Sequence, residues 1–171
     1  MNSESGDFTA GNIEMLMMAT TEHGATLKEI HGISDMAMEN IYAHAYQFYN
    51  EGRLDEAEKF FRFLCLYDLK NADYFIGLGA VQQLKKNYEK ACEFYSLAYL
   101  IAEDNFNPLY YIGQCQLLMG NYVKALKSFN ILAERCTDEN LVAKAKVYIA
   151  SIRSQKDKSG SVPEEKIADN D

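Results

Sequence analysis

Residues Ile41–Cys65 read IYAHAYQFYNEGRLDEAEKFFRFLC, and the pattern inside this stretch returns twice further along the chain. Ala57 recurs at one fixed interval as Ala91 and Ala125. Twelve positions before each alanine stands a small residue, Ala45, Gly79 or Gly113, and four positions after each stands a ring, Phe61, Tyr95 or Phe129. Tyr88 and Tyr122 precede the second and third alanines by three positions, and Gly52 and Gly120 precede the first and third by five. Two antiparallel helices approach closely only where small side chains face each other, and the ring fills the space between one helix pair and the next. Three units in register are therefore read as three stacked helix hairpins.

A period of 34 with these small and aromatic positions is the tetratricopeptide signature. The expected fold is all-α: three tandem tetratricopeptide repeats in a short right-handed solenoid, with N-terminal helices and a C-terminal capping helix. Residues 1–11 are polar and expected to be disordered. Residues 12–33 form an N-terminal helical segment. Asn12 caps a short helix whose Ile13, Leu16, Met17 and Thr20 follow amphipathic spacing, His23-Gly24 ends it, and a second short turn covers 25–30. The repeat domain with its capping helix spans 34–154. Ser34 caps the first helix, which ends near Asn50, and Gly52 turns the chain into Leu54–Tyr67. The second hairpin pairs Ala72–Lys85 with Tyr88–Ile101 around Lys86-Asn87. The third pairs Asn107–Met119, with Pro108 in its first turn, with Tyr122–Arg135 around Gly120-Asn121. Asp138 caps a last helix to about Ser154, whose Leu141, Ala145, Tyr148 and Ile152 should seal the open end of the array. Residues 155–171 are charged, lack periodicity and are expected to be a disordered tail.

A chain of 171 residues is long enough for one domain with a real core. Apolar content of 48% and charged content of 25% are those of an ordinary globular protein. A net charge of −8 argues against nucleic acid, because phosphate binding needs a cationic stripe and the Lys/Arg clusters here have carboxylate neighbours. Cys65, Cys92, Cys115 and Cys136 lie mid-helix with no C-x-x-C pair and read as small reduced core fillers. With no basic-then-apolar N-terminal stretch and no apolar run of membrane-spanning length, the expected location is the cytosol.

In such repeats the first helix of each pair lines the concave wall, through its second, fifth, sixth, ninth, twelfth and thirteenth positions. Counting from Met38, Ala72 and Phe106, the wall comprises Glu39, Tyr42, Ala43, Tyr46, Tyr49 and Asn50; then Asp73, Ile76, Gly77, Ala80, Gln83 and Leu84; then Asn107, Tyr110, Tyr111, Gln114, Leu117 and Leu118. Tyr42, Ala43, Tyr46, Tyr49, Ile76, Gly77, Ala80, Gln83, Tyr110, Tyr111 and Gln114 are the candidate peptide-binding groove. Tyrosine offers a large apolar face and one hydroxyl at little entropic cost, which suits peptide recognition. Ala43, Gly77 and Ala80 leave room for an entering side chain. The competing reading is that the tyrosines merely pack among helices; against it, Ile41, Ala45 and Phe48 already supply the packing face. Adaptors of this fold that grip acidic C-termini clamp the carboxylate with Lys, Arg and Asn. Here Tyr42, Tyr46, Gly77, Asn107 and Tyr111 hold those places, so an extended, largely apolar peptide is the better guest.

Catalysis and cofactors are not expected. His23, His31 and His44 share no metal-ligand spacing, and His44 reads as a packed core histidine. Gly77-Leu78-Gly79 lies inside a helix, so it is no phosphate loop. Asp55, Glu56 and Glu58 favour the positive end of a helix dipole, and nothing pairs a nucleophile with a base.

Four stretches carry a more specific resemblance: GATLKEIHGI (Gly24–Ile33), the opening stretch Ile41–Cys65, LYD (Leu66–Asp68) and GQCQLL (Gly113–Leu118). Over about residues 12–154 the chain resembles the class II chaperones of bacterial type III secretion, which serve the two hydrophobic translocator proteins, and among them those of invasion-type injectisomes. The resemblance implies a bacterial cytosolic chaperone that keeps newly made translocators soluble and apart until export. An extended translocator segment with spaced Pro and Leu side chains would lie in the groove, at Tyr42, Tyr46 and Tyr49. It also implies a homodimer formed through the N-terminal helix at Ile13, Leu16 and Met17, and for some members an AraC-type transcription activator as a second partner. Two rival readings stand beside it, a general tetratricopeptide scaffold without an export role and a regulator that co-activates transcription.

Overall fold

The structure, a computed structural model, describes residues 26–102 and 104–159. Ile13, Leu16 and Met17 lie outside the described residues. Among the described residues eight helices follow in order: α1 Leu27–Ile30, α2 Asp35–Asn50, α3 Leu54–Tyr67, α4 Ala72–Leu84, α5 Tyr88–Ile101, α6 Asn107–Leu118, α7 Tyr122–Arg135 and α8 Glu139–Ser159. The chain belongs to the all-α class, with α2/α3, α4/α5 and α6/α7 as successive hairpins.

Local chemistry sets the helix ends. Thr26 and Glu29 form a capping box on α1, with the Glu29 carboxylate accepting from the Thr26 N–H at 2.6 Å. That bond holds the Glu29 carboxyl below the usual carboxylate range. Ser34 Oγ accepts from the Ala37 N–H at 3.2 Å to start α2, and Asp138 accepts from the N–H groups of Asn140 and Leu141 at 2.9 and 3.2 Å to start α8. The three hairpin turns share one closure. Arg53 N–H reaches Phe48 O at 2.9 Å, Asn87 N–H reaches Gln82 O at 2.9 Å, and Asn121 N–H reaches Gln116 O at 2.8 Å. This six-to-one bond needs a left-handed residue immediately before its donor. Gly52 and Gly120 supply it with φ of 74° and 77°, and Lys86 supplies it at 64°.

Close helix approach follows from missing side chains. A methyl at Gly79 would stand 2.7 Å from the Tyr95 ring, one at Gly113 would stand 2.5 Å from Phe129, and one at Gly77 would run into Phe61. Phe61, Tyr95 and Phe129 are each almost fully buried and also reach across to neighbouring helices. Tyr42 meets Phe61 edge-on at 5.9 Å, Tyr95 lies 5.1 Å from Tyr111, and Tyr148 stacks on Phe129 at 4.9 Å. Each ring is thus a wedge between helices, as its periodic position predicts.

Charges fasten adjacent units. Lys28 bridges Asp68 at 2.9 Å and Asp35 at 3.0 Å, tying α1 to the end of α3, and these hydrogen bonds push the Lys28 ammonium pKa upward. Lys85, at the end of α4, bridges Asp55 and Glu58 of α3, each at 2.7 Å.

At the far end α8 covers the third hairpin. Leu141, Ala145, Ile149 and Ile152 are buried against Phe129 and Leu132, while Tyr148 is half-buried. Ile149 therefore shares the sealing role read for Tyr148. The helix runs on to Ser159, past the expected end at Ser154. All four cysteines are free thiols, with Cys65 and Cys115 buried. His44 departs from its expected packed role. It is exposed, with Nδ1 2.7 Å from the Asn40 carbonyl of its own helix, because Ala45, the next residue, takes the buried position.

Candidate functional site: the concave groove

Tyr42, Tyr46 and Tyr49 rise from α2 at spacings of four and three, which puts all three on one face. Their rings form a continuous row, with centroids 6.3 Å apart for Tyr42–Tyr46 and 5.9 Å for Tyr46–Tyr49. Opposite and beneath them lie Ile76, Gly77, Ala80, Gln83 and Leu84 of α4, Tyr111 and Gln114 of α6, and the rings of Phe61 and Tyr95. Together they enclose a trough of about 270 Å³. Tyr46 is 50% exposed and Leu84 51%, so these two stand at the rim rather than in the core.

The depth of the trough comes from what α4 lacks. Gly77 has no side chain and Ala80 only a methyl, so the Phe61 and Tyr95 rings form the floor. Tyr42 and Tyr49 are half-buried and touch the first core cluster, while one side of each ring faces the trough. Burial pushes their hydroxyl pKa values upward, with Asp73 adding to the shift at Tyr42. The phenols accordingly stay neutral over any physiological pH. None of the lining residues carries a charge. The arrangement can bury apolar side chains and hydrogen-bond polar groups, and it has no clamp for a carboxylate.

Nine of the eleven residues read as the groove line this trough: Tyr42, Tyr46, Tyr49, Ile76, Gly77, Ala80, Gln83, Tyr111 and Gln114. Ala43 and Tyr110 do not. Ala43 is exposed, on the side of the first repeat where no described repeat precedes it. Tyr110 turns toward the far end of the molecule, 6.0 Å from Phe129 and 5.8 Å from Tyr148. Burial and a hydrogen bond with Tyr148 push the Tyr110 pKa up to about 12. Its place is packing, because α8 presents a ring where an open wall was expected. Phe61 and Tyr95 were recognised from the repeat as inter-helix rings but not as groove floor. The available signal was the absence of bulk at Gly77 and Gly79, opposite those rings.

Two polar side chains of the trough are held by neighbours. The Tyr95 hydroxyl donates to Gln83 Oε1 at 2.8 Å, and Gln114 Nε2 donates to the Tyr148 hydroxyl at 3.1 Å.

Comparison with known proteins adds to this geometry. The tetratricopeptide repeat family model matches residues 38–71 and 73–105. Chaperone protein SicA of Salmonella typhimurium is 52% identical over 141 residues, covering 82% of this chain and 85% of SicA. The crystal structure of PcrH, from Pseudomonas aeruginosa, in complex with the chaperone binding region of PopD superposes with a TM-score of 0.68 at 31% identity. That match covers 73% of this chain and 97% of PcrH. PcrH in complex with the chaperone binding region of PopB gives 0.64 at 32% identity, over 68% and 98% of the two chains.

Proposed function

The chain belongs to the class II translocator chaperones of type III secretion, which are built on tetratricopeptide repeats, and we propose that its trough holds an extended segment of a hydrophobic translocator protein. One observation carries this reading: a charge-free aromatic trough, open at the rim, in a chain that is 52% identical to SicA over 141 residues. An extended apolar stretch needs surface of this kind, because in water its side chains would drive it to aggregate. A guest laid over Gly77 and Ala80 buries those side chains against the rings, and translocators held this way stay soluble and apart before export. The bacterial cytoplasm is the compartment where that task arises. No helix among the described residues is long and apolar enough to cross a membrane.

Solubility tests the reading. Each candidate hydrophobic translocator is expressed with and without this chain. Recovery of translocator in the soluble fraction, in a co-purifying complex, is the expected result; unchanged solubility with no complex overturns it. Tyr42→Ala, Tyr46→Ala and Tyr49→Ala together should weaken capture at least about tenfold while far-ultraviolet helicity is kept. Collapse of helicity would assign the rings to packing instead.

We further propose that residues 12–33 form a dimerisation segment with Ile13, Leu16 and Met17 at the contact, since an apolar strip read in the sequence ahead of the repeats calls for a partner. Replacing all three by Ser should halve the mass seen by sedimentation; an unchanged mass would remove the segment from the interface. Co-activation with an AraC-type protein is a finer proposal, checked by co-purification of the cargo-free chain with the activator.

A further inference from the structure

We infer that Gln83 and Gln114 are a fixed donor–acceptor pair that reads the main chain of the guest, Gln83 Nε2 giving a hydrogen bond to one guest carbonyl and Gln114 Oε1 taking one from a guest N–H. The inference rests on the reading that the trough holds an extended segment, and goes beyond it by assigning what recognises the segment's backbone.

A glutamine amide has an oxygen that accepts and a nitrogen that donates, so pinning one end presents the other. The oxygen of Gln83 is pinned by the Tyr95 hydroxyl at 2.8 Å. Tyr95 is 1% exposed, and a buried hydroxyl must place its proton on an acceptor. Burial also keeps Tyr95 protonated, and therefore a donor, far above its ordinary titration range. The amide nitrogen of Gln83 is left for the trough, which Gln83 lines. Gln114 is held the opposite way round. Its nitrogen donates to the Tyr148 hydroxyl at 3.1 Å, and its oxygen is left for the same trough.

The remaining polar groups of the lining are tyrosine hydroxyls, which rotate and either give or accept. The two amides alone carry fixed and opposite polarity there. A guest that sheds water to lay side chains on the rings also strips water from its own peptide groups, and an unpaired buried peptide group is costly. One fixed donor and one fixed acceptor answer that need without reading side-chain identity. A trough of this kind accepts more than one guest sequence, with one exclusion: the residue whose N–H meets Gln114 cannot be proline, which has none.

The test uses the full chain and overlapping synthetic peptides tiled across the candidate translocators, with affinities from calorimetry. The tightest peptide is then N-methylated at each backbone amide in turn. One position is expected to lose about tenfold on the wild-type chain and less than about twofold on Gln114→Leu or Gln114→Met, where its partner is already gone. Gln83→Glu keeps an oxygen for Tyr95 and replaces the donor by a second acceptor. It should weaken every peptide at least about tenfold with an unchanged circular dichroism spectrum and melting temperature. Equal N-methylation losses on wild type and on both Gln114 variants overturn the inference, as does unaltered binding by Gln83→Glu. So does a side-chain replacement, rather than an N-methyl group, whose penalty disappears in the Gln114 variants. If no tiled peptide binds the wild-type chain, the reading of the trough itself falls, an outcome distinct from these.

Discussion

Lys86 holds a backbone conformation that its own side chain disfavours. It sits one repeat period after Gly52 and one before Gly120, at the left-handed position of the same turn, with φ of 64°. A side chain there crowds the following carbonyl, whereas glycine does not, at the cost of a freer unfolded chain. Lys86→Gly should therefore raise stability by about 0.5–1 kcal/mol, read as a higher urea midpoint at constant slope. Gly52→Ala and Gly120→Ala should lose about 1 kcal/mol each. The loss is conformational, since nothing lies within 4 Å of a methyl at either place. Sequence spacing marked Lys86-Asn87 as a turn; that a lysine stands in for glycine follows from the Asn87–Gln82 bond that closes it.

Helices in this molecule meet through paired absences and rings, and the pairs differ in consequence. Gly79→Ala pushes on Tyr95 and Gly113→Ala on Phe129, both inside a hairpin, so each should destabilise by about 1–3 kcal/mol through overpacking. Gly77→Ala pushes on Phe61, which is also groove floor. It should depress guest affinity by more than its loss of stability explains, a difference visible when calorimetry and thermal melts are compared. The bracket between α3 and α4 gives a pH dependence. The hydrogen bond from Lys85 holds the Asp55 carboxyl below its ordinary range. A depressed folded pKa gives stabilisation that is present above the unfolded value and lost as pH falls through the folded one. The melting temperature should drop on acidification from about pH 5 to pH 3, less steeply in Lys85→Gln. Helix boundaries were largely legible because caps and turn residues are local: Ser34, Gly52, Asp138 and Pro108 each act over a short reach of chain. The direction of Tyr110 was not legible, because its partners Phe129 and Tyr148 come from other helices. The extension of α8 through residues 155–159 was equally hidden, since QKDKS carries helix formers but no apolar stripe.

Across the whole molecule, α8 stands where a fourth repeat would begin. Tyr148 lies one repeat period after Gln114, and Val147, one period after the buried Gly113, is 70% exposed because no described helix follows to cover it. Ending the chain at Thr137 removes Leu141, Ile149 and Ile152, each contributing roughly 2 kcal/mol by burial, and uncovers Phe129 and Leu132. The truncated chain should bind a hydrophobic dye and melt over a broad range; a sharp melt would show that α8 is dispensable. The repeat count and the concave face were legible from periodicity alone. Which residues form the floor was not, because the floor exists only once two hairpins are stacked. That shared ring has a mechanical consequence. Phe61 is at once the bed under a guest and the spacer between α3 and α4, so loading the cleft from above presses on the packing between those two helices. Amide hydrogen exchange in α3 and α4 should slow when translocator is bound, and slow less in α7. Cargo occupancy would then be written into the stiffness of the superhelix, where any protein gripping its outer surface could feel it.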